Sequence, residues 1–373
     1  MTTVASKIPT SIPVAAPVTM ETLLRLTVEQ GASDLHLTMG EPPHVRIDDC
    51  LVPLECNPLS AEDVQRLSYT LLTPTRIQQF EQARELDFSF SVEGQARFRA
   101  NYFFQRGAMG VAIRMLPFRI LTFEECGLPV PVVTEFCRKP RGLVLVTGAT
   151  GSGKSTTLAS MVDMINREQA CHIVTIEDPI EYVHENQQAL IDQREVGSDT
   201  QSFGQALKHV LRQDPDVILI GEMRDLETIE AALTIAETGH LVLATLHTSD
   251  VVQTTNRIID VFPSHQQNQV RTQLSFVLLG VLSQQLIPRL NTRGRVLASE
   301  VLIANHAVRS LIREQKVHQM YSVIQTHQKE GMQTMNQSLY TLCANRLIHS
   351  EEALGRSSDP EELRRMFKVG GVV

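Results

Sequence analysis

The chain has 373 residues, of which 42% are hydrophobic and 20% are charged, and its formal net charge is −8. These values are typical of an ordinary globular protein with room for two or three domains, and the acidic balance argues against a general nucleic-acid coat. Six scattered cysteines without a C-x-x-C pair argue against a zinc module and against a disulfide framework. No leader peptide is visible in residues 1–18, and the apolar run 276–282 is too short to cross a bilayer, so we expect a cytosolic protein.

The first third of the sequence predicts a tail followed by a separate α/β domain. Residues 1–18 are rich in Thr, Ser, Pro and Ala, which predicts a disordered tail. Residues 19–117 combine an amphipathic helix over 20–30 with several runs that alternate as strands do. In the run 96–103, Phe98 faces one side of the strand while Arg97 and Arg99 face the other. Spacing alone assigns these two arginines and Arg114, in the next run, to a solvated face.

Residues 118–140 contain Pro129, Pro131 and the basic pair Arg138–Lys139, and we interpret this stretch as a linker. From Gly142 onward, apolar strands alternate with helices, which is typical of a parallel sheet covered on both faces. The predicted strands of this sheet are 142–147, 171–176, 216–222, 239–248 and 296–302. Residues 256–290 are predicted to be rich in helix, and the helices predicted near the end are 307–314, 317–325, 334–346 and 350–368.

A glycine-rich loop is the strongest motif in the chain. Residues 148–155 read Gly-Ala-Thr-Gly-Ser-Gly-Lys-Ser and match the phosphate-loop pattern G-x-x-x-x-G-K-[ST] between a strand and a helix. Lys154 is expected to reach the β- and γ-phosphates of a nucleotide, and the Ser155 hydroxyl to bind Mg²⁺. A chance glycine-rich turn would not need the strand and helix on either side. The predicted phosphate-binding residues are Gly148, Ala149, Thr150, Gly151, Ser152, Gly153, Lys154, Ser155 and Thr156.

Acidic residues follow two of the predicted strands. Glu177, Asp178 and Glu181 come after the strand 171–176, at the sheet edge where such folds bind ligands. A turn at Asp178–Pro179 is the alternative explanation, but three acids beside a phosphate loop would repel the ligand unless a metal ion intervenes. Glu222 ends the strand 216–222. It is predicted to hold Mg²⁺ or to polarise the attacking water, although a buried strand tip would look the same.

Two histidines bracket the strand 239–248. His240 stands at its start and His247 at its end, so both are candidates for sensing the γ-phosphate or the strand of Glu222. Histidines in such positions are as often structural as catalytic.

Taken together, these motifs resemble the secretion ATPase superfamily, and within it the branch that retracts type IV pili. The resemblance covers nearly everything after residue 18. It rests on the segment 31–37, the acidic segment 176–181, the glycine-for-aspartate strand end at Glu222, the histidine segment 239–248 and the helix 307–314. The last of these differs from the branch pattern at Val308 and Ser310. The absence of a four-cysteine zinc module points away from pilus-extension and type II secretion ATPases.

The resemblance implies an α/β fold and a domain order. A smaller PAS-like α/β N-terminal domain would occupy 19–117, and a P-loop RecA-like ATPase domain would occupy 141–295, completed by a strand and helices in 296–373. It also implies a homohexamer that binds ATP and Mg²⁺. Arg97, Arg99 and Arg114 would then face the nucleotide as arginine fingers do, and Arg224 is a further candidate.

The same resemblance implies a mechanism and partners. Glu181 would activate water and Glu222 would hold Mg²⁺ or position that water, although the two roles are exchangeable. His240 and His247 would couple loss of the γ-phosphate to movement. The motor would be cytoplasmic and act at the inner membrane on a pilus platform protein, with an accessory retraction ATPase as a further candidate partner, to drive pilus retraction and twitching motility.

Several alternatives stay open at the level of sequence. The chain is expected to bind no nucleic acid, but a RecA-like nucleic-acid motor would share its ATP site. An ATP-gated assembly scaffold would share that site without needing turnover. Within the superfamily, an accessory retraction ATPase and a type IV secretion ATPase are the close competitors.

Overall fold

The computed structural model describes residues 9–14, 18–47, 50–92, 96–116, 119–290, 292 and 294–371. The chain divides into two compact units, Met1–Arg119 (unit 1) and Ile120–Val373 (unit 2). Among the described residues, no helix combines the length and the apolar character needed to span a membrane.

Unit 1 is built on a seven-stranded sheet with three helices among its described residues. Its elements are β1 (Ile12–Pro13), α1 (Met20–Glu29), β2 (Asp34–Leu37), β3 (His44–Ile47), β4 (Cys50–Glu55), α2 (Ala61–Tyr69), α3 (Pro74–Ala83), β5 (Glu85–Val92), β6 (Ala96–Gln105) and β7 (Ala108–Leu116). The strand order is β1-β4-β3-β2-β7-β6-β5. All neighbours are antiparallel except β1 and β4, which are parallel.

The sheet of unit 1 has one buried face and one solvated face. Along β6, Phe98 and Ala100 are fully buried, whereas Arg99 is exposed. Arg99 is the register partner of Arg114, so both side chains lie on the same face. The alternation predicted from the sequence is therefore confirmed, because a half-buried strand places every second residue in the core.

The prediction of a disordered tail over residues 1–18 is wrong for part of that stretch. Ile12 and Pro13 pair in parallel with Leu54 and Glu55, and Ile12 is only 4% exposed. Ile12 is buried in the core of unit 1 and Val14 packs against that core, which the overall composition of the tail does not reveal. Residues 1–8 and 15–17 lie outside the described residues.

Unit 2 contains seven strands and twelve helices among its described residues, besides three single-turn 3₁₀ segments. Its first elements are α4 (Phe123–Cys126), α5 (Val130–Cys137), β8 (Gly142–Thr147), α6 (Lys154–Glu168), β9 (His172–Glu177), β10 (Leu190–Glu195), α7 (Phe203–Val210), β11 (Val217–Ile220), α8 (Leu226–Glu237) and β12 (Leu241–Leu246). The later ones are α9 (Val251–Asp260), α10 (Gln267–Val277), β13 (Leu278–Pro288), β14 (Arg295–Ile303), α11 (His306–Arg313), α12 (Met320–Thr326), α13 (Met335–Ala344), α14 (Ser350–Arg356) and α15 (Pro360–Gly370).

The sheet of unit 2 has the order β10-β9-β11-β12-β8-β13-β14. Every neighbouring pair is parallel except β13 and β14, which are antiparallel. Every residue of β8, β11 and β12 is buried, as expected for strands covered by helices on both faces. The ends of these strands therefore meet at one edge, where polar residues are tolerated.

The stretch 118–140, predicted as a linker, is largely part of unit 2. Its residues from 120 onward belong to that unit, and α4 and α5 lie within it. Val133 and Phe136 of α5 are buried in the core that α6 and β8 share. The prolines suggested a linker, but Pro131 stands in the first turn of α5, where its missing N–H costs nothing. Residues 117 and 118 lie outside the described residues.

Other elements also differ from the prediction, and β10 lies outside every predicted strand. The run 278–288, expected in a helix-rich region, forms β13, because a continuous apolar run fits a buried strand as well as a buried helix. The helix predicted over 350–368 is two helices, because Pro360 begins α15 after a break at 357–359.

Candidate active site

The glycine-rich loop follows β8 at the carboxyl edge of the sheet of unit 2 and leads into α6. Gly148, Gly151 and Gly153 all have positive φ, and a Cβ on Gly148 would lie 2.4 Å from the Gln284 carbonyl oxygen. Gly153 precedes the first residue of α6 and provides no side-chain cap, so the first N–H groups of the helix remain available to a ligand. This loop has the geometry of a phosphate-binding site.

Lys154 is the positive charge of the loop. Its Nζ donates hydrogen bonds to the carbonyl oxygens of Gly148 (2.9 Å) and Ala149 (3.0 Å), and lies 3.5 Å from Nδ1 of His247. Burial lowers the pKa of Lys154, while the carboxylates of Glu222 and Glu181 counteract this in part. The structure therefore brings three residues predicted for the site, Glu181, Glu222 and His247, close to this ammonium group.

Glu222 follows β11 and lies at the centre of a charged cluster. Its Oε1 is 2.7 Å from the Arg224 guanidinium, and its Oε2 is 3.4 Å from Nε2 of His247. The side chain of Glu222 is only 13% exposed, whereas that of Arg224 is 73% exposed. A carboxylate so little exposed beside a phosphate loop can bind a metal ion or orient a water molecule.

Gly221, which precedes Glu222, has little room for a side chain. A Cβ on Gly221 would lie 3.2 Å from the Ile176 carbonyl oxygen and 3.3 Å from Cα of Glu177. An aspartate at this position would press on β9, so the acid is carried by the next residue instead.

Glu177, the last residue of β9, and Glu181, which follows that strand, have different surroundings. The carboxylate of Glu177 accepts hydrogen bonds from Thr175 Oγ1 (2.7 Å) and Gln193 Nε2 (3.2 Å), which tie it to the strands β9 and β10. Glu181 is partly exposed, and its charge acts on Lys154. Of these acids, Glu181 is therefore the better candidate for a role toward a bound nucleotide.

The two histidines lie at opposite ends of β12. His247 follows the last residue of the strand and contacts Lys154 and Glu222. His240 precedes the first residue, and its Nδ1 lies 3.1 Å from the Ile235 carbonyl oxygen at the end of α8. Six strand residues separate the two ends by about 20 Å. Within one subunit, His240 therefore lies away from Lys154 and Glu222, and its role in sensing the γ-phosphate or the strand of Glu222 stays a prediction.

The arginines of unit 1 occupy the solvated face of its sheet. Arg114 is 2.9 Å from Asp34, and Arg99 is 3.8 Å from Asp87. Arg97 donates a hydrogen bond of 2.7 Å to Ser89 Oγ. Burial raises the pKa of Asp34, but hydrogen bonds from Ser33 and Arg114 outweigh it and hold this pKa below its ordinary value.

Two polar residues beside the loop were not predicted. Gln284 of β13 is 1% exposed and donates a 2.7 Å hydrogen bond to Thr157 Oγ1, and Arg295 of β14 donates to the Gly151 carbonyl oxygen at 3.4 Å. Within the described part of the chain, Oε1 of Gln284 and Oγ of Ser152 are buried without a hydrogen-bond partner. Only the pairing of β13 with β8 and β14 brings these residues here, so no local pattern could have identified them.

Comparison with known proteins gives consistent results. Residues 13–355 match the family model described as type II/IV secretion system protein. The chain is 50% identical to the type IV pilus retraction ATPase PilT of Pseudomonas aeruginosa over 91% of this chain and 98% of that protein. It is 41% identical to the type IV pilus ATPase PilU of the same organism, over 94% of this chain and 91% of the relative.

A solved structure agrees in fold as well. The crystal structure of the pilus retraction motor PilT with bound ADP superposes with a TM-score of 0.89 at 52% identity, covering 94% of this chain and all of that one. The two-sheet α/β fold predicted from the sequence is thereby confirmed. With a family match that covers most of its length, the chain belongs to the type II/IV secretion system protein family.

Proposed function

We propose that this chain is an ATPase whose hydrolysis of ATP drives the retraction of type IV pili. The phosphate loop with Lys154, Glu222 and His247 supports ATP hydrolysis. The observation that carries pilus retraction is the 50% identity to a retraction ATPase over nearly the full length of both chains.

In the proposed reaction, the loop binds the triphosphate before water attacks the γ-phosphate. Lys154 exchanges its hydrogen bonds to the Gly148 and Ala149 carbonyl oxygens for contacts with phosphate oxygens. The N–H groups at the start of α6 bind the same oxygens. Because these donors are fixed before the reaction, the developing charge is stabilised without reorganisation.

Mg²⁺ is proposed to accompany the nucleotide. Ser155 in the first turn of α6 and Glu222 offer the hard oxygen ligands that this ion prefers, so the residues present fit it. No cluster of three acidic, His or Cys side chains suited to a metal exists among the described residues, which leaves the other positions to phosphate and water oxygens. When bound, the ion neutralises negative charge on the β- and γ-phosphates.

We assign water activation to Glu181 and the Mg²⁺ side of the site to Glu222. Arg224 and His247 each contact one carboxylate oxygen of Glu222 and so fix its orientation, which suits a residue on the Mg²⁺ side of the site. Glu181 has a partly exposed carboxylate close enough to act on Lys154, which suits a residue that receives a proton from water.

The motor is proposed to work as a homohexamer at the inner membrane. Arg97, Arg99 and Arg114 would supply positive charge to the triphosphate, and their position on the solvated face of unit 1 supports this role. Movement of the two units would transmit each hydrolysis step to a membrane platform protein of the pilus.

The cellular test is a chromosomal Lys154→Ala variant, with Lys208→Ala as the matched surface lysine. We expect purified Lys154→Ala to lose ATP turnover by about a thousandfold. In cells, we expect abundant surface pili without twitching motility, while Lys208→Ala behaves as wild type. Few or no pili in Lys154→Ala would contradict retraction and leave an ATPase for extension or secretion.

An accessory role in retraction is the second candidate, because the chain is also 41% identical to PilU. The two candidates differ in what a deletion does when other pilus ATPases are intact. A principal motor is required for all retraction, whereas deletion of an accessory motor leaves slow or weak retraction, measurable as residual force on single pili.

A further inference from the structure

Glu300 is a buried carboxylate that the proposed reaction does not use. It lies in β14 and is 4% exposed, and its Oε2 accepts a hydrogen bond of 2.8 Å from the Val251 backbone N–H. Val251 is the first residue of α9, so this N–H has no acceptor within its own helix. A side chain from a distant strand therefore satisfies the start of α9.

Glu300 stands in the same cross-strand row as the end of the phosphate-loop strand. Its register partner on β13 is Ser283, whose partner on β8 is Thr147. The hydroxyls of Ser283 and Thr147 are 2.7 Å apart, and Thr147 directly precedes Gly148. Glu300 thus forms, with Ser283 and Thr147, the last row of paired polar residues before the phosphate loop.

The segment 247–250 connects this row to the site. It begins after β12 and ends at α9, whose first N–H binds Glu300 on β14. Since β8 and β13 lie between β12 and β14, the segment crosses about 14 Å of the sheet edge. His247 stands at one end, within 3.5 Å of both Lys154 and Glu222, and Val251 stands at the other.

We propose that Glu300 is a positioning residue of the ATP site, which anchors the far end of the segment 247–250 and so holds His247 against Lys154 and Glu222. This inference rests on the proposed function. Asp250 and Thr254 shape the same turn through local hydrogen bonds of 2.8 Å and 2.7 Å. Glu300 differs because it ties the turn to the sheet that carries the phosphate loop.

The charge of Glu300 makes the anchor sensitive to pH. Burial raises the pKa of Glu300 to about 7, although the Val251 hydrogen bond lowers it, and the Asp250 carboxylate raises it further. The charge of Glu300 also acts on Tyr321 of α12, whose hydroxyl donates a hydrogen bond to Glu362 of α15. The start of α9 favours the anion through its dipole.

The sign of the pH effect on stability follows from this shift. A carboxyl group whose folded pKa is raised stabilises the fold below its ordinary value of 4.5, and that stabilisation is lost as pH rises through about 7. Ionised Glu300 therefore lowers the free energy of unfolding at pH 8. A neutral Glu300→Gln side chain should not lower the melting temperature there.

The experiment measures turnover and melting temperature of the purified full chain between pH 6 and pH 8. We expect Glu300→Gln to lose about fivefold in turnover at pH 8, because charge-assisted hydrogen bonds are roughly twice as strong as neutral ones. For wild type we expect an inflection in turnover near pH 7, and we expect Glu300→Gln to lack this inflection without a lower melting temperature. Ser299→Ala, a neighbouring buried substitution on β14, should keep the wild-type profile.

Unchanged turnover with a retained inflection in Glu300→Gln would overturn the proposal. So would a fall in turnover matched by a fall in melting temperature, because that is the pattern of a purely structural residue. If the variant does not fold, hydrogen exchange of residues 247–252 in wild type decides. The Val251 hydrogen bond lowers the pKa of Glu300, so a local opening that breaks this bond while Glu300 stays buried is harder when the carboxylate is ionised. We therefore expect weaker protection at pH 6 than at pH 8, and equal protection contradicts the anchor. Lys154→Ala is measured alongside, since turnover retained there refutes the ATP site itself.

Discussion

The two sheets of the molecule carry charge in different places. On the antiparallel sheet of unit 1, Arg99 and Arg114 stand in mid-strand on a solvated face. In unit 2, β8, β11 and β12 are buried along their whole length, and charged side chains appear only outside the two ends of these strands. Glu222 after β11 and His247 after β12 are the examples closest to the phosphate loop.

The difference follows from what covers each sheet. A parallel sheet with helices on both faces excludes charge from its middle, so polar groups collect at its ends, where the side chain of Glu222 is only 13% exposed. A half-covered sheet tolerates charge anywhere on its open face, where solvent screens it. Substitutions at the edge of unit 2 should therefore change turnover strongly, whereas substitutions of exposed ion pairs on the open face of unit 1 should hardly change stability.

The largest effect is expected at Glu222. Because its carboxylate is only 13% exposed and contacts both Arg224 and His247, Glu222→Gln should keep ATP binding but lower turnover by about a thousandfold. Binding is measured with a fluorescent ATP analogue and turnover by phosphate release.

Glu181→Gln is measured beside Glu222→Gln to distinguish water activation from Mg²⁺ binding. Glu227→Gln is the control for removing an exposed carboxylate. A variant that activates water poorly retains tight Mg²⁺–ATP binding, whereas one that holds Mg²⁺ poorly needs more Mg²⁺ for half-maximal turnover. We expect the first result for Glu181 and the second for Glu222. Turnover above a tenth of the wild-type rate in Glu222→Gln contradicts its place in the site.

The arginines on the open face of unit 1 are an exception to this contrast, because they are proposed to serve the nucleotide although solvent screens their charge. The Arg99–Asp87 ion pair is exposed, so Arg99→Ala should change the free energy of unfolding by less than about 1 kcal/mol. Arg114 pairs with Asp34, whose side chain is only 10% exposed, so Arg114→Ala should lower the free energy of unfolding by about 1–3 kcal/mol. If they serve the nucleotide as proposed, turnover falls by about a hundredfold nonetheless. Arg25→Ala, from an exposed ion pair on α1, is the matched control. Unchanged turnover in both variants would return them to an ordinary solvated face.

Local patterns predicted the parts of the site that lie within one stretch of chain. The phosphate loop needs only its own glycines, Lys154 and the strand and helix beside it, so the motif contains its geometry. Glu222 and His247 each follow a buried strand, and parallel strands bring their carboxyl ends to one edge, so their meeting was predictable too.

What the sequence did not predict depends on contacts between distant segments. β13 has the same apolar run that a buried helix would have, so neither Gln284 nor Arg295 could be placed beside the loop. The partnership of Glu300 with Val251 requires the order of four strands. The prolines of 129–131 indicated a linker although α5 packs into the core, because tertiary packing overrides a local signal.

The smallest effect comes from the two histidines of β12. They test what we call the edge rule, that the functional side chains of unit 2 lie beyond the carboxyl ends of its buried strands. Both flank the same buried strand, but only His247 reaches Lys154 and Glu222, whereas His240 contacts the end of α8. We expect His247→Ala to lower turnover by about tenfold, because it removes a polar neighbour of both charges. His240→Ala should leave turnover of isolated subunits unchanged, since about 20 Å of strand separates it from the loop. An equal loss in His240→Ala would mean either that its partner lies in another subunit or that the edge rule is wrong. Measuring the turnover of both variants across protein concentrations separates these cases. A loss of turnover that grows with assembly belongs to the oligomer, and a constant loss contradicts the edge rule.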